Sequence, residues 1–453
     1  SDLAGIKGLD DVYLTSALER MVRYADSQGK PLVVSNSWGS YWGPRDGTGE
    51  IADLVDQYFG KNHPNRVILF ASSNDAGHRT GSEGGGFFVR KSRASSGSPL
   101  GTIIRTDGEG GDYYTGLMAC AWSAGKLNCR LHVLDNSTGA IRKTWTVTKE
   151  TSSFSGLKAY YAGSLAVYIQ SENGKYQLAV CSDDGLEAEG DYTLAIEVYP
   201  ASGSADVNMW GGDWSYFTDH LSTAGHTWTA GTDDMSVSDE ATIPDAIAVG
   251  AYVSKTTVTN SAGENQTYSS GALGDIAYYS SYATAELSPT GKAYPWITAP
   301  GAQLVAGVNH YNSSGSTSYF DYYKGDLVVN NANSPYGVME GTSMATPVAA
   351  GIVALWLQAA QEANKALTVD DVKDIMKQTA ISDSYTTGTN AAHFGNGKID
   401  ALAGIQYIVE GSGGSVVQPA TASAVSDETI DFTAQGYDNA EPVRSEERRV
   451  GKE

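Results

Sequence analysis

The residues best suited to chemistry in this chain lie in one run, Glu340-Gly341-Thr342-Ser343-Met344-Ala345-Thr346-Pro347. It sets a serine hydroxyl at the mouth of an apolar stretch, Val348 to Gln358, whose composition predicts a helix buried almost all round. The first turn of a helix carries unpaired N–H groups and the positive end of the helix dipole, and both favour negative charge nearby. A serine placed there can act as a nucleophile in acyl transfer, because the oxyanion that forms beside it is stabilised. Pro347 adds to the case: it has no N–H to bond the carbonyl of Ser343, so the turn around the serine is not closed as an ordinary helical turn. The plainer role for Thr342 or Ser343 is to cap a core helix. The residue types of Gly341-Thr342-Ser343 alone read more readily as the cap.

Two elements upstream end in positions that could serve such a serine. Val12, Leu14, Leu18, Met21, Val22 and Tyr24 recur at helical spacing and predict an amphipathic helix over about 10–27, ended by Gly29 and Pro31. A short apolar strand follows and runs into Ser37-Trp38-Gly39; Ile51 to Phe59 predicts a second helix; Arg66 to Ala71 predicts another strand, running into Ser72-Ser73-Asn74. Helix and strand in this rhythm predict a parallel sheet covered on both faces, with functional groups at the carboxyl ends of its strands.

Gly341-Thr342-Ser343-Met344-Ala345-Thr346-Pro347 resembles the nucleophile motif of the subtilisin-like serine proteases, with Val348 where the family usually has histidine. Asn36-Ser37-Trp38-Gly39 resembles the family's substrate-binding segment, and Ala71-Ser72-Ser73-Asn74-Asp75 resembles its Ala-Ala-Gly-Asn-Glu segment. Tyr278 to Tyr282, Trp296 to Gly301 and Gly395 to Ala401 resemble later family segments. The resemblance implies a subtilisin-like α/β fold with a mostly parallel sheet and helices on both faces. It implies a serine endopeptidase working through an acyl-enzyme on Ser343, with Asn74 donating to the oxyanion. Ser37, Trp38 and Gly39, with Ala71, Ser72 and Ser73 opposite, would line the substrate cleft. A protein or peptide substrate, an extracellular or cell-envelope setting and no required cofactor follow from the same resemblance.

A hydroxyl nucleophile needs a base and an acid that orients it. The family's Asp-[Ser/Thr]-Gly and His-Gly-Thr-His motifs are absent from these 453 residues. The expectation is a fragment lacking that upstream segment and inactive alone. His78, close after Asn74, reads as a loop histidine. A rival expectation is an inactive protease-like scaffold whose β region binds a partner.

Between the two halves, from about Gly84, short alternating strands separated by Gly, Asn, Asp and Ser predict an all-β insert of sandwich or jelly-roll type. It enters and leaves in loops, which predicts a separately folded module. The expected organisation is protease domain 1–83, inserted β domain 84–225, protease domain 226–410, a linker and truncated region 411–443, and a sequencing-adapter artefact over 444–453. The acidic loops Asp107 to Asp112 and Asp183-Asp184 offer carboxylates for structural calcium but lack the spacing of a defined calcium loop. Cys120, Cys129 and Cys181 are too few for a disulfide framework; Cys120 and Cys129 share no zinc-ligand spacing, so a buried thiol or one disulfide is expected and no metal site.

With 41% hydrophobic and 18% charged residues the composition is globular. Acids outnumber bases 52 to 30, a formal charge of −22, which argues against nucleic-acid binding and against docking on an anionic membrane. No apolar run reaches the roughly 18 residues of a membrane span. The sequence is silent on oligomeric state.

Overall fold

The computed structural model describes residues 10–49, 51–77, 84–106, 113–212, 215–308, 327–330 and 335–411. His78, the acidic loop 107–112, all of 411–443 after its first residue, and residues 444–453 lie outside the described residues.

Helix α1 (Asp10–Ser27), strand β1 (Leu32–Asn36), α2 (Ala52–Phe59) and β2 (Arg66–Ala71) open the chain in the expected rhythm. Eleven strands follow: β3 (Phe88–Ala94), β4 (Leu100–Thr106), β5 (Tyr113–Ser123), β6 (Leu127–Asp135), β7 (Ile141–Val147), β8 (Tyr161–Gly163), β9 (Ala166–Glu172), β10 (Lys175–Ala188), β11 (Tyr192–Pro200), β12 (Ala205–Gly211) and β13 (Ser215–Thr218). The α/β pattern then resumes with β14 (Ile247–Val253), a small pair β15 (Thr257–Thr259) and β16 (Asn265–Thr267), and β17 (Ile297–Ala302). A second small pair, β18 (Leu304–Gly307) and β19 (Tyr336–Met339), leads into α3 (Thr342–Glu362), α4 (Val369–Thr379) and α5 (Ala401–Glu410).

The α/β layer is a four-stranded parallel sheet in the order β1-β2-β14-β17. Side chains alternate across it. Val67 and Leu69 pack with α3, α4 and α5 on one face, while Ile68 and Phe70 pack with Leu18 and Val22 of α1 and Val55 and Phe59 of α2 on the other. A strand buried on both faces has no polar alternation to show, which is why β2 reads as a continuous apolar run. Two of the covering helices start at side-chain caps: Thr368 and Asp371 form a reciprocal capping box on α4, and Asp400 accepts from the N–H groups of Leu402 and Ala403 on α5.

Helix α3 departs from its expectation. Ala345, Ala349, Val353, Trp356, Leu357 and Ala360 are buried, but Leu355 is 50% exposed and Ala354 is exposed as well. The helix lies on the outside of the sheet with α5 along one flank, so only the face toward the sheet and that flank is covered. Its length and hydropathy alone would also fit a membrane span, whereas its packing is that of a helix docked on a sheet.

The strands from β3 to β13 form two antiparallel sheets, β3-β12-β5-β10-β8 with β9 added on β10, and β13-β4-β11-β6-β7. Their facing sides close over one core that includes Leu131 and Val133 of β6, Ile196 and Val198 of β11, Leu178 and Val180 of β10, and Met209 of β12. The outer face of the first sheet is also buried. Phe88, Leu117, Cys120, Trp122, Cys181 and Trp210 share a second core with Met235, Val237, Ala241, Ala248, Ala283 and Tyr294 of the α/β half. The region therefore joins its host through a packed apolar face as well as through loops. Cys120, Cys129 and Cys181 are buried thiols in no disulfide, and burial pushes Cys120 and Cys129 up to about 12, which leaves both uncharged at neutral pH.

Trp210 is wholly buried in that shared core, and its indole N–H donates to the carbonyl of Met235 at 3.1 Å. Truncation leaves a cavity and an unpaired carbonyl, so Trp210→Ala is expected to cost about 3–5 kcal/mol in a denaturant titration. A loss under about 1 kcal/mol would mean that the two halves are joined by loops alone.

Candidate active site

Strands β1 and β2 run parallel with Asn36 opposite Phe70, so their carboxyl ends deliver Ser37 and Asn74 to the same edge of the sheet. Helix α3 starts at that edge. Gly341 precedes it with φ 143°, a backbone conformation that side chains disfavour, and its N–H donates to the carbonyl of Gly301 at 2.9 Å.

Ser343 and Ser37 bond reciprocally. The Ser37 hydroxyl donates to the carbonyl of Ser343 at 2.7 Å, and the Ser343 hydroxyl donates to the carbonyl of Ser37 at 3.2 Å. The first of these bonds takes up the carbonyl that Pro347 leaves without a helical donor. Ser343 itself is partly exposed at the site.

Asn74 is fixed by Thr342, 268 residues away. Its Oδ1 accepts from the Thr342 backbone N–H at 2.8 Å and from the Thr342 hydroxyl at 3.0 Å. With the oxygen so occupied, the NH₂ group is left to face the cleft, and Asn74 is exposed. A Cβ built on Gly341 would lie 3.4 Å from Asn74 Nδ2 and 3.6 Å from the backbone nitrogen of Ser343. The same point lies 3.6 Å from Asn74 Oδ1, so the Asn74 carboxamide and the Ser343 N–H meet around Gly341, whose φ favours glycine.

Of the other residues expected in the cleft, Trp38 is 44% exposed and sits edge-on to Phe70, with ring centroids 5.7 Å apart. Gly39 is packed so close to Ser238 that a Cβ would fall 2.5 Å from the Cβ of Ser238. Ser73 takes φ 95°, rare for any residue but glycine, and its hydroxyl donates to Asp75. Ala71 and Ser72 are buried behind this edge; the Ser72 N–H bonds the carbonyl of Val249, and the Ser72 carbonyl accepts from the Ser238 N–H. Among the described residues no histidine bonds Ser343; His393, for example, stacks on Tyr282 with ring centroids 3.5 Å apart.

Several residues were missed in the sequence. Thr342, which orients Asn74, carried a signal only as part of the motif. Beneath the loop that follows Gly39, Glu240 accepts from the Ser40 N–H at 2.8 Å, and Asp239 accepts from the Arg45 N–H at 2.7 Å. The Arg45 side chain is fully buried, donating to the carbonyl of Val237 and lying 4.7 Å from the ring centroid of Trp210. Gly43 and Gly49 were the available sign, since a Cβ at either would strike the carboxyl of Asp239.

A model of the subtilase family matches residues 102–397, which include Ser343 and leave Ser37 and Asn74 outside the match. The chain belongs to the subtilase family. It is similar to the serine protease AprX of Bacillus subtilis (strain 168), 39% identical over 87 residues that make up 19% of this chain and 17% of that protein. The alignment thus spans less than a fifth of this relative's length. The fold is similar to that of the CspB protease of Clostridium perfringens, with a TM-score of 0.53 at 15% identity, covering 87% of this chain and 70% of that one.

The two acids under the loop of this subtilase are both shifted upward. Burial is the main cause, added for Glu240 to the neighbouring charge of Asp239, and opposed for Asp239 by the hydrogen bond from Arg45. A raised carboxyl keeps its proton in the fold at pH values where the unfolded chain has released it. Stability from this source therefore falls as pH rises from about 4 toward neutrality. Glu240→Gln retains the acceptor for Ser40, so its unfolding free energy relative to wild type should climb across that window and level off above it. A difference independent of pH would show that folding does not shift the Glu240 carboxyl.

Proposed function

We propose that this chain carries the nucleophile and oxyanion site of a subtilisin-type serine endopeptidase, with Ser343 as nucleophile and Asn74 Nδ2 and the Ser343 N–H as oxyanion donors. The observation that carries the reading is the double hydrogen bond from Thr342 to Asn74 Oδ1, which turns the carboxamide NH₂ toward the same space as the Ser343 N–H. In the reaction the Ser343 hydroxyl gives its proton to a base as the Oγ–C bond forms. The carbonyl oxygen takes up the negative charge between the two donors, and the C–N bond then breaks as the leaving amine takes the proton. Water repeats the sequence on the acyl-enzyme. The substrate is a protein or peptide whose backbone lies along Ser37-Trp38-Gly39, with Ser73 across from it. An extracellular or cell-envelope setting belongs to the same reading.

The base is the missing part. The reading assigns it, with its orienting acid, to a segment bearing the two family motifs that this sequence lacks. It also takes residues 84–225 as a domain inserted into the protease, and 226–410 as the protease's second part.

The 453-residue chain by itself is expected to leave casein intact. Fused behind a segment supplying both motifs, it should hydrolyse casein and label with a fluorophosphonate. Ser343→Ala should abolish both, and Asn74→Ala should lower kcat by about 10²–10³, the size established for this role in subtilisin itself and carried over here. A fused protein that ignores the probe would favour the scaffold reading, in which the β region binds a partner and Ser343 is chemically idle.

A further inference from the structure

The outer face of the second antiparallel sheet carries a cluster that the protease reading does not use. On β6, Leu131 and Val133 point into the sandwich core, so His132 points out; on β11, Ile196 and Val198 point in, so Glu197 points out beside it. A strap from 219 to 232 crosses this face. It is tied down where the Thr229 N–H donates to the carbonyl of Gly101 at 2.8 Å and where the Thr223 hydroxyl donates to the carbonyl of Gly139 at 2.8 Å. The strap lays His226 over Glu197, with Nδ1 2.8 Å from Oε1, and stacks Trp228 on the imidazole of His226 at 5.5 Å.

One ligand atom from each of His132, Glu197 and His226 lies within 4.8 Å of the other two. His132 and Glu197 are 1% and 5% exposed. His132 Nδ1 is engaged with the Thr144 hydroxyl at 2.9 Å, which fixes the ring. His132 Nε2 is buried and makes no hydrogen bond among the described residues; Glu197 Oε2 lies 3.4 Å away, an ion pair only when the ring is protonated. A buried imidazole nitrogen with nothing to bond is costly unless something occupies its lone pair.

We propose that His132, Glu197 and His226 form a binding site for one divalent transition-metal cation, with Zn²⁺ the best match. Two imidazole nitrogens and one carboxylate oxygen are a borderline-soft donor set that suits Zn²⁺ and does not suit Ca²⁺ or Mg²⁺, which take oxygen ligands. A four-coordinate Zn²⁺ with bonds of about 2.0–2.1 Å needs its ligand atoms about 3.3 Å apart. The three ligand atoms lie within 4.8 Å of one another, so small side-chain adjustments bring them to that spacing. Thr144 on the far nitrogen of His132, and Arg130, which donates to Glu197 Oε2 at 2.8 Å, are the outer partners that orient such ligands. The side chain of His226 is 24% exposed, which leaves a route for the ion from solvent. The bound ion clips the strap to the sheet. A few residues on, the same segment meets the end of β2, where the Gly77 N–H donates to Asp233 and the Ser238 N–H bonds the carbonyl of Ser72. Nothing in the sequence marks the site, because its three ligands come from separate strands and a strap without regular spacing.

The test uses the untagged full chain, stripped with EDTA and titrated with Zn²⁺ by calorimetry and with Co²⁺ by visible absorption. The expected result is one Zn²⁺ per chain, a Co²⁺ band of four-coordinate intensity that Zn²⁺ bleaches, and no displacement by millimolar Ca²⁺. Glu197→Gln and His226→Gln should each weaken Zn²⁺ binding by more than the 10–100-fold typical of losing an outer partner, while His63→Gln leaves it unchanged. Absence of the Co²⁺ band in the unmodified chain would overturn the proposal whether or not the variants fold. Equal Zn²⁺ affinity in wild type and the two folded ligand variants would overturn it as well.

Discussion

The carboxamide oxygen of Asn74 accepts two hydrogen bonds from Thr342, and the arrangement of the site depends on that pair. Each bond is worth only about 1 kcal/mol in net stability. Their consequence is geometric: an amide whose oxygen is held on one side can present its nitrogen only to the other. The pair also explains why the fold must close where it does. Asn74 comes from the end of β2 and Thr342 from the start of α3, so the parallel sheet must bring two distant segments to one edge before either group has a use. The reciprocal bonds between Ser37 and Ser343 draw β1 to the same point.

The region between the halves of the sheet is tied to this edge from below. Arg45, on the loop after Gly39, is enclosed by Trp210 of β12 and by the carbonyl of Val237, while its own N–H is held by Asp239. Burying an arginine among aromatic rings is tolerable because the guanidinium keeps hydrogen bonds and lies on a π face. The loop that follows Gly39 is thus seated on a surface to which the antiparallel sheets contribute.

Local and periodic features were legible in the sequence. Helix α1 spans Asp10–Ser27 where the apolar spacing places it, α2 begins one residue later than expected, and β2 ends at Ala71 as its apolar run does. The run around Ser343 marked a helix start with a free carbonyl, and Ser37 proved to be the donor that takes it. What could not be read is what depends on contacts between distant segments. Asp239 and Glu240 look like an ordinary acidic turn until the glycine loop covers them. His132, Glu197 and His226 look like scattered polar residues until two strands and a strap align them. Helix α3 looked buried all round because apolar composition does not say which face a sheet will cover, and Leu355 shows that one face stays open.

The central claim is that Thr342 acts on the reaction only by aiming Asn74. A double-mutant cycle on kcat in the chain fused behind a segment supplying both family motifs tests this most directly, with Thr342→Val, which keeps the shape and removes the hydroxyl, crossed against Asn74→Ala. The account predicts that Thr342→Val slows the reaction when Asn74 is present and has no further effect once Asn74 is alanine. Equal, additive losses in both backgrounds would contradict it.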